Sequence, residues 1–422
     1  MKKVTYINLF LITALIISSC SKSQILKKAS PESVNVSTER LARIDHMLQQ
    51  AIDSGWVAGA AGFIARDGKI IYNKAFGVID PETKIPMRTD NIFRIASQTK
   101  AIISIGAMML FEEGKFLLDD PVSKYIPEFS NQQVIDKFND KDTTYTTVPA
   151  KRAVTVRDLF THTSGIDYAG IGSPVMRAIY AKADIASGFG SDNALIGNEM
   201  KDLGKLPLAH QPGEKWTYGL NVDVLGYLIE IWSGEKLDKY LEKHLFEPLG
   251  MNDTYFYLPP EKRSRLVTVN TEDRNHHVTA LKNTYFDYPL LTNGTYFSGG
   301  AGLSSTTSDY GTFLQMLLNN GEYNGKRFLS RRTVELITSN QIGELNRNRN
   351  KFGLGFEIVT REGQAVLGLS EGSFLWGGYF ATDYWADPKE RIVGLIFLQQ
   401  SPMSHGEIHS KFMAMVYQAL DD

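Results

Sequence analysis

The chain has a single cysteine among 422 residues, Cys20, so no internal disulfide can form and no thiolate cluster can hold a metal. Net charge is nearly absent as well. With 45 lysines and arginines against 47 aspartates and glutamates, the balance of −2 gives no broad basic field, which argues against nucleic acid as a partner. No internal repeat, low-complexity tract or glycine-rich phosphate loop of the P-loop type stands out. His276-His277 has no second ligand cluster to complete a metal site, so neither a metal nor another cofactor is expected. What is present is an ordinary globular composition, 43% hydrophobic and 22% charged, on a chain long enough to bury a large core and to divide into two lobes.

The amino terminus has its own pattern. Lys2 and Lys3 precede an apolar stretch from Ile7 to Ile17, too short and interrupted to cross a bilayer, so residues 1–19 read as a cleavable signal. Ile17-Ser18-Ser19-Cys20 resembles a bacterial lipoprotein signal, which implies a lipid on Cys20, attachment to a membrane and a place in the cell envelope, periplasmic or on the outer membrane. Residues 20–37 are polar with little periodicity and are expected to be a tether.

The chemistry begins at Ser97-Gln98-Thr99-Lys100, which opens the apolar run Ala101 to Leu110 that Gly114 ends. On a helix, positions i and i+3 share a face, so the spacing predicts the Lys100 amine beside the Ser97 hydroxyl. A helix start also offers unpaired N–H groups and the positive end of the dipole, a setting for an oxyanion. Burial favours the neutral, basic form of an amine. Two other Ser-x-x-Lys matches, Ser19 to Lys22 and Ser233 to Lys236, lack this context: one lies in the export signal and the other closes a helix.

Strand and helix patterns alternate in blocks. Ala60 to Ala65 and Ile70 to Phe76 flank Asp67-Gly68, a hairpin signal. Near the other end, Phe352 to Val359, Gln364 to Leu369, Phe374 to Trp385 and Ile392 to Gln399 read as strands, with a last helix from about Glu407. Helical stripes occupy Leu41 to Ile52, Val222 to Trp232 and Tyr310 to Leu318. The expected fold is α/β, of the α+β type: one antiparallel sheet built from both termini, flanked by helices, with a helical domain inserted. The sheet lobe would comprise about 38–95 and 295–422 and the helical lobe about 96–294, within one catalytic domain over 38–422.

Two more motifs complete the pattern. Tyr218-Gly219-Leu220-Asn221 follows a Pro/Gly turn and enters a helix, which would fix a phenol able to shuttle a proton. Trp376-Gly377-Gly378-Tyr379 puts two glycines inside a strand, which marks a bulge or a close approach by a ligand or another backbone. Taken in order, Ser97-x-x-Lys100, Tyr218-Gly219-Leu220 and Trp376-Gly377-Gly378 resemble the three active-site motifs of the serine β-lactamase and penicillin-binding-protein superfamily. Thr161-His162-Thr163-Ser164-Gly165 and Phe246-Glu247-Pro248-Leu249-Gly250 support the resemblance. It implies the β-lactamase/transpeptidase-like fold and an acyl-enzyme on Ser97. Lys100 and Tyr218 would be the base groups, and the backbone of Ser97 and Tyr379 the oxyanion hole. Trp376, Gly377, Gly378, Leu220 and Asn221 would lie against a small-molecule ester or amide.

Two departures narrow the function. The superfamily's second motif usually reads Tyr-x-Asn, but here Leu220 holds the amide position; the third usually starts with lysine, but here Trp376 stands there. Each lost charge-assisted hydrogen bond is worth roughly 1.5–3 kcal/mol, so anionic β-lactams and peptide carboxyl termini are expected to be poor substrates. The form Trp-Gly-Gly resembles the family VIII carboxylesterases, which implies an esterase acting on small carboxylic esters. The alternatives are a β-lactamase, a D-Ala-D-Ala carboxypeptidase or D-aminopeptidase-type amide hydrolase, an acyltransferase, and a catalytically weak cell-envelope binding protein. A competing nucleophile is Ser370 in Gly368-Leu369-Ser370-Glu371-Gly372, which matches the α/β-hydrolase elbow with Asp387 and His405 or His409 following. An elbow needs a strand before it and a helix after it, and Phe374 to Trp385 does not read as a helix.

Overall fold

The computed structural model describes residues 25–186 and 188–422. Cys20 and the signal segment lie outside the described residues. At the centre is an eight-stranded sheet comprising β1 (Lys27–Lys28), β2 (Gly59–Arg66), β3 (Lys69–Gly77), β4 (Lys351–Phe352), β5 (Glu357–Ile358), β6 (Phe374–Gly378), β7 (Thr382–Asp387) and β8 (Ile392–Phe397). Their spatial order is β1-β3-β2-β8-β7-β6-β5-β4, so β2 from the amino-terminal part pairs with β8 from the carboxyl-terminal part, Ala61 opposite Phe397. All neighbours are antiparallel except β1 and β3, which run parallel and make the sheet mixed. The β2–β3 hairpin turns at Asp67-Gly68, both with positive φ, which suits the right-handed twist of the flanking strands.

Both faces of β2 are buried, which explains its nearly continuous apolar sequence. Phe63 joins the core shared with the helices, and its neighbour Ile64 joins a second core on the opposite face. That second core is closed by α1 (Thr38–Asp53) and the carboxyl-terminal helix α7 (Glu407–Gln418), packed through Leu48, Phe412 and Val416. On the first face lie α2 (Thr99–Glu112), α3 (Val156–Thr161), α4 (Asn221–Ser233) and α5 (Thr307–Leu318). Helix α2 is buried on nearly every side from Thr99 to Met108, as its apolar sequence requires, and its end is marked by Gly114 at φ +72°.

Three expectations are corrected. Residues 25–37, read as part of a tether, belong to the fold: β1 pairs with β3, Val34 and Val36 are buried, and Ser37 N–H donates to the Ala419 carbonyl at 2.8 Å. Gln364 to Leu369 is helical rather than extended. Helix α6 (Arg361–Leu367) starts because the Thr360 hydroxyl accepts from Gly363 N–H at 3.1 Å, and it stops at Gly368 in the left-handed region. Phe374 to Trp385 is two strands, β6 and β7, joined by a tight turn in which Ala381 has φ 58°. The glycine pair therefore ends a strand instead of bulging one.

Candidate active site

Ser97 lies in a single 3-10 turn, Ala96–Gln98, immediately before α2, so the serine and lysine straddle a junction of helix types. Side chains three apart eclipse in a 3-10 turn, and Lys100 Nζ sits 3.4 Å from Ser97 Oγ. Ala96 is held at φ 42°, a left-handed conformation that costs a non-glycine residue about 1–3 kcal/mol and is maintained only by the packing around it. Alanine here is fully buried, next to Val269 and Phe380.

Lys100 is 2% exposed and donates to two further oxygens, the Gly300 carbonyl at 2.6 Å and the Tyr168 hydroxyl at 2.8 Å. Two acceptors thus anchor the amine while a third direction meets Ser97. Gly300 can bring its carbonyl this close because its loop presses on Asp223, where a Cβ would fall 2.3 Å from Oδ2. Asp223, fully buried at the start of α4, accepts from Ser298 Oγ at 2.8 Å and Tyr296 OH at 3.2 Å. Burial raises the Asp223 carboxyl above its usual value, against the opposing pull of Lys100. Burial, with Tyr218 and Asp223 adding to it, also holds the Tyr168 phenol well above its ordinary value and keeps it protonated.

Like Gly300 and Arg347, Tyr168 is a site residue that the sequence does not single out. It stands three residues beyond Gly165 of the Thr-His-Thr-Ser-Gly turn, and its position there is the one signal that could have separated it from 18 other tyrosines. Tyr218 also reaches the site, but differently. Lys100 Nζ lies 4.6 Å from the centre of its ring, while its hydroxyl accepts from Trp376 Nε1 at 3.3 Å. The two tyrosine rings are tilted against each other, centroids 5.2 Å apart.

A cleft of about 410 Å³ opens over Ser97 and is walled by Trp216, Tyr218, Leu375, Trp376 and Tyr379. Gly377 and Gly378 line it as well. Their smallness serves a backbone approach, since a Cβ on Gly378 would meet the Ile95 carbonyl at 2.4 Å, two residues before the serine. Tyr379 is 47% exposed at the rim. Leu220 and Asn221, expected against the substrate, are instead inside the protein and fully buried. The Asn221 amide is spent on His162 Nδ1 at 3.0 Å and on the Ser164 hydroxyl, because the first turn of α4 faces α3 rather than the cleft. His162 is the left-handed cap of α3, is fully buried, and burial lowers its pKa well below the usual value, so it is a neutral packing group.

Ser370 fails as an elbow. It follows helix α6, is 6% exposed, and its N–H caps the Asp387 carboxylate at 3.1 Å. His405 stacks on Trp56 and His409 faces Asp383, so neither completes a triad with it.

The chain matches the Beta-lactamase family over residues 44–415 and belongs to it. Protein Rv1367c of Mycobacterium tuberculosis is 31% identical over 370 residues, 84% of this chain and 89% of that protein. Esterase EstB of Burkholderia gladioli is 28% identical over 376 residues, 85% of this chain and 89% of its own. Among solved structures, EstCE1, described as a hydrolase with promiscuous acyltransferase activity, superposes with a TM-score of 0.75 at 25% identity, covering 90% of this chain and 99% of that one. The mixed sheet with its flanking helices is thus the β-lactamase/transpeptidase-like fold, and the chain is a hydrolase of that family.

Proposed function

We propose that this protein is a serine esterase that cleaves small carboxylic esters through an acyl-Ser97 intermediate. The observation that carries the reading is the Lys100 amine, anchored by the Gly300 carbonyl and Tyr168 hydroxyl and set 3.4 Å from Ser97 Oγ at the floor of an open cleft. Lys100 accepts the Ser97 proton as the oxygen bonds to the ester carbonyl carbon. Charge on the former carbonyl oxygen is met by the backbone N–H groups of Ser97 and Tyr379. The carbon–alkoxy bond then breaks, and the proton passes from Lys100 by way of the Tyr218 phenol to the departing alcohol. Water, activated by the same amine, releases the acid and restores Ser97.

The apolar wall of Trp216, Tyr218 and Trp376 supports esters over peptides, as does the inward turn of the Asn221 amide, which leaves that group bound within the protein. The names of EstB and of EstCE1 point the same way, and the second supports acyl transfer when an alcohol or amine replaces water. Labelling with a fluorophosphonate followed by peptide mapping should modify Ser97. Modification of Ser370, or none on folded protein, rejects the assignment. A rate profile across ester chain lengths, with nitrocefin and a D-alanyl-D-alanine dipeptide alongside, should place esters first. The amino-terminal pattern supports a lipid-anchored envelope protein, tested by loss of labelled palmitate in Cys20→Ser.

A further inference from the structure

The cleft holds a cation that the esterase chemistry does not use. Arg347 lines it together with Ser97, on the loop that precedes β4. The loop is closed by reciprocal N–H to carbonyl bonds between Arg347 and Asn350, each 2.9 Å, with Asn348 at φ 55° between them. Asn350 is in turn tied to the Glu357 carboxylate at 2.6 Å and to Thr360 N–H at 3.2 Å, so the arginine leaves a fixed turn. Its guanidinium carbon stands 5.1 Å from the Trp216 ring centre and 5.5 Å from that of Trp376.

A guanidinium against aromatic faces keeps its in-plane N–H donors free. Here they are unspent: among the described residues no carboxylate lies within ion-pair distance of Arg347, and Nε is buried without a hydrogen-bond partner. Of the two acids that share the cleft, Glu357 is bonded to Asn350, and burial raises its carboxyl against the opposing pull of Asn350 and of the Arg347 charge, which lies beyond ion-pair distance; Asp383 faces His409 at 3.5 Å, and burial raises it as well. A planar cation laid against two tryptophans, with its terminal N–H donors unpaired among the described residues at the wall of an open cleft, matches the geometry of a carboxylate.

We infer that Arg347 forms a carboxylate subsite, so that this cleft prefers esters bearing a second, ionised acid group over neutral esters of the same size. The inference rests on the esterase reading and deepens it. It also reverses one expectation: the cation that Trp376 removes from the strand is returned to the same wall by a different segment.

Two matched pairs test it. The mono-p-nitrophenyl ester of adipic acid against p-nitrophenyl hexanoate places the charge on the acyl side; 4-acetoxybenzoate against phenyl acetate places it on the alcohol side. In at least one pair the wild type should favour the charged ester at least tenfold in kcat/KM, mainly through KM. Within Arg347→Gln that ratio should fall to near one, and Arg347→Lys should restore part of it. Ratios at or below one in both wild-type pairs, or a ratio unmoved in Arg347→Gln, overturn the subsite. Binding of monomethyl adipate to Ser97→Ala protein, followed by tryptophan fluorescence, reads the subsite without turnover. It should weaken at least tenfold when Arg347→Gln is added. Absence of ester turnover with Arg347-dependent binding rejects the esterase and keeps the subsite; turnover with binding indifferent to Arg347 does the reverse.

Discussion

The two sides of the cleft are built by opposite rules. On the floor, Lys100 donates to Ser97, Tyr168 and Gly300 over 2.6 to 3.4 Å; the amine and Tyr168 are nearly sealed from solvent, and Ser97 faces the cleft. The wall of Trp216, Tyr218 and Trp376 is half-buried and aromatic, its rings tilted or stacked on one another and tied by a hydrogen bond from Trp376 Nε1 to the Tyr218 hydroxyl. A buried polar cluster is intolerant, because removing one partner strands another without water to replace it. An aromatic wall is held by area and shape, so it can be altered with graded loss. The floor is therefore expected to set the rate and the wall to set the choice of substrate.

The largest effect should come from Ser97→Ala, which removes the atom proposed to bond to the carbonyl. Hydrolysis of short p-nitrophenyl esters should fall by at least ~10³-fold with the fold intact by circular dichroism. Retention of most of the rate would remove the floor from the chemistry altogether.

Next comes a pair that separates the two tyrosines. Tyr168→Phe deletes a partner of Lys100 and should lower kcat by about 100-fold for every ester, activated or not. Tyr218→Phe should cost alkyl esters about 100-fold but p-nitrophenyl esters far less, since nitrophenolate leaves without needing a proton. Equal losses across leaving groups for Tyr218→Phe would assign it to positioning and erase the distinction between floor and wall in proton delivery.

A smaller effect is expected at the wall itself. Trp376→Ala removes apolar surface and should raise KM for esters by about tenfold, in line with 1–2 kcal/mol of lost contact, with kcat less affected. A fall in kcat with KM unchanged would show that the indole orients the reacting groups.

The smallest effect on turnover should come from Asp309, which lies on α5 away from both sides of the cleft. Burial raises its carboxyl from 3.8 to about 6 in the folded protein. A folded value above the unfolded one means the native state holds the proton more tightly, so stability contributed below pH 4 is lost as pH rises through about 6. Urea unfolding should show this decline across that window, and Asp309→Asn should flatten it while kcat stays within about twofold. An unchanged slope would exclude Asp309 as its source.

Much of the floor was legible in the chain because it is local. Ser97 and Lys100 are three residues apart, and the apolar run after them could only be a buried helix. The hairpin at Asp67-Gly68 and helices α1, α4, α5 and α7 were legible for the same reason, each carrying its own period and punctuation. Helix α6 was misread because seven residues are too few for a period to declare itself, and its Thr360 cap decided the outcome. The break between β6 and β7 was hidden because Tyr379 and Phe380, residue types that favour strands, form the turn, and its left-handed position is held by Ala381 rather than by a glycine or asparagine.

The sequence by itself determined the pairing of the Ser97 hydroxyl with the Lys100 amine, the two-ended sheet and the family. It could not determine which tyrosine bonds the amine, that the Asn221 amide turns inward, or that Arg347 returns a positive charge to the cleft. Those outcomes depend on contacts between segments tens to hundreds of residues apart. A linear pattern records the period of each element, whereas the meeting of Tyr168, Gly300 and Arg347 around the serine is set by how the elements pack.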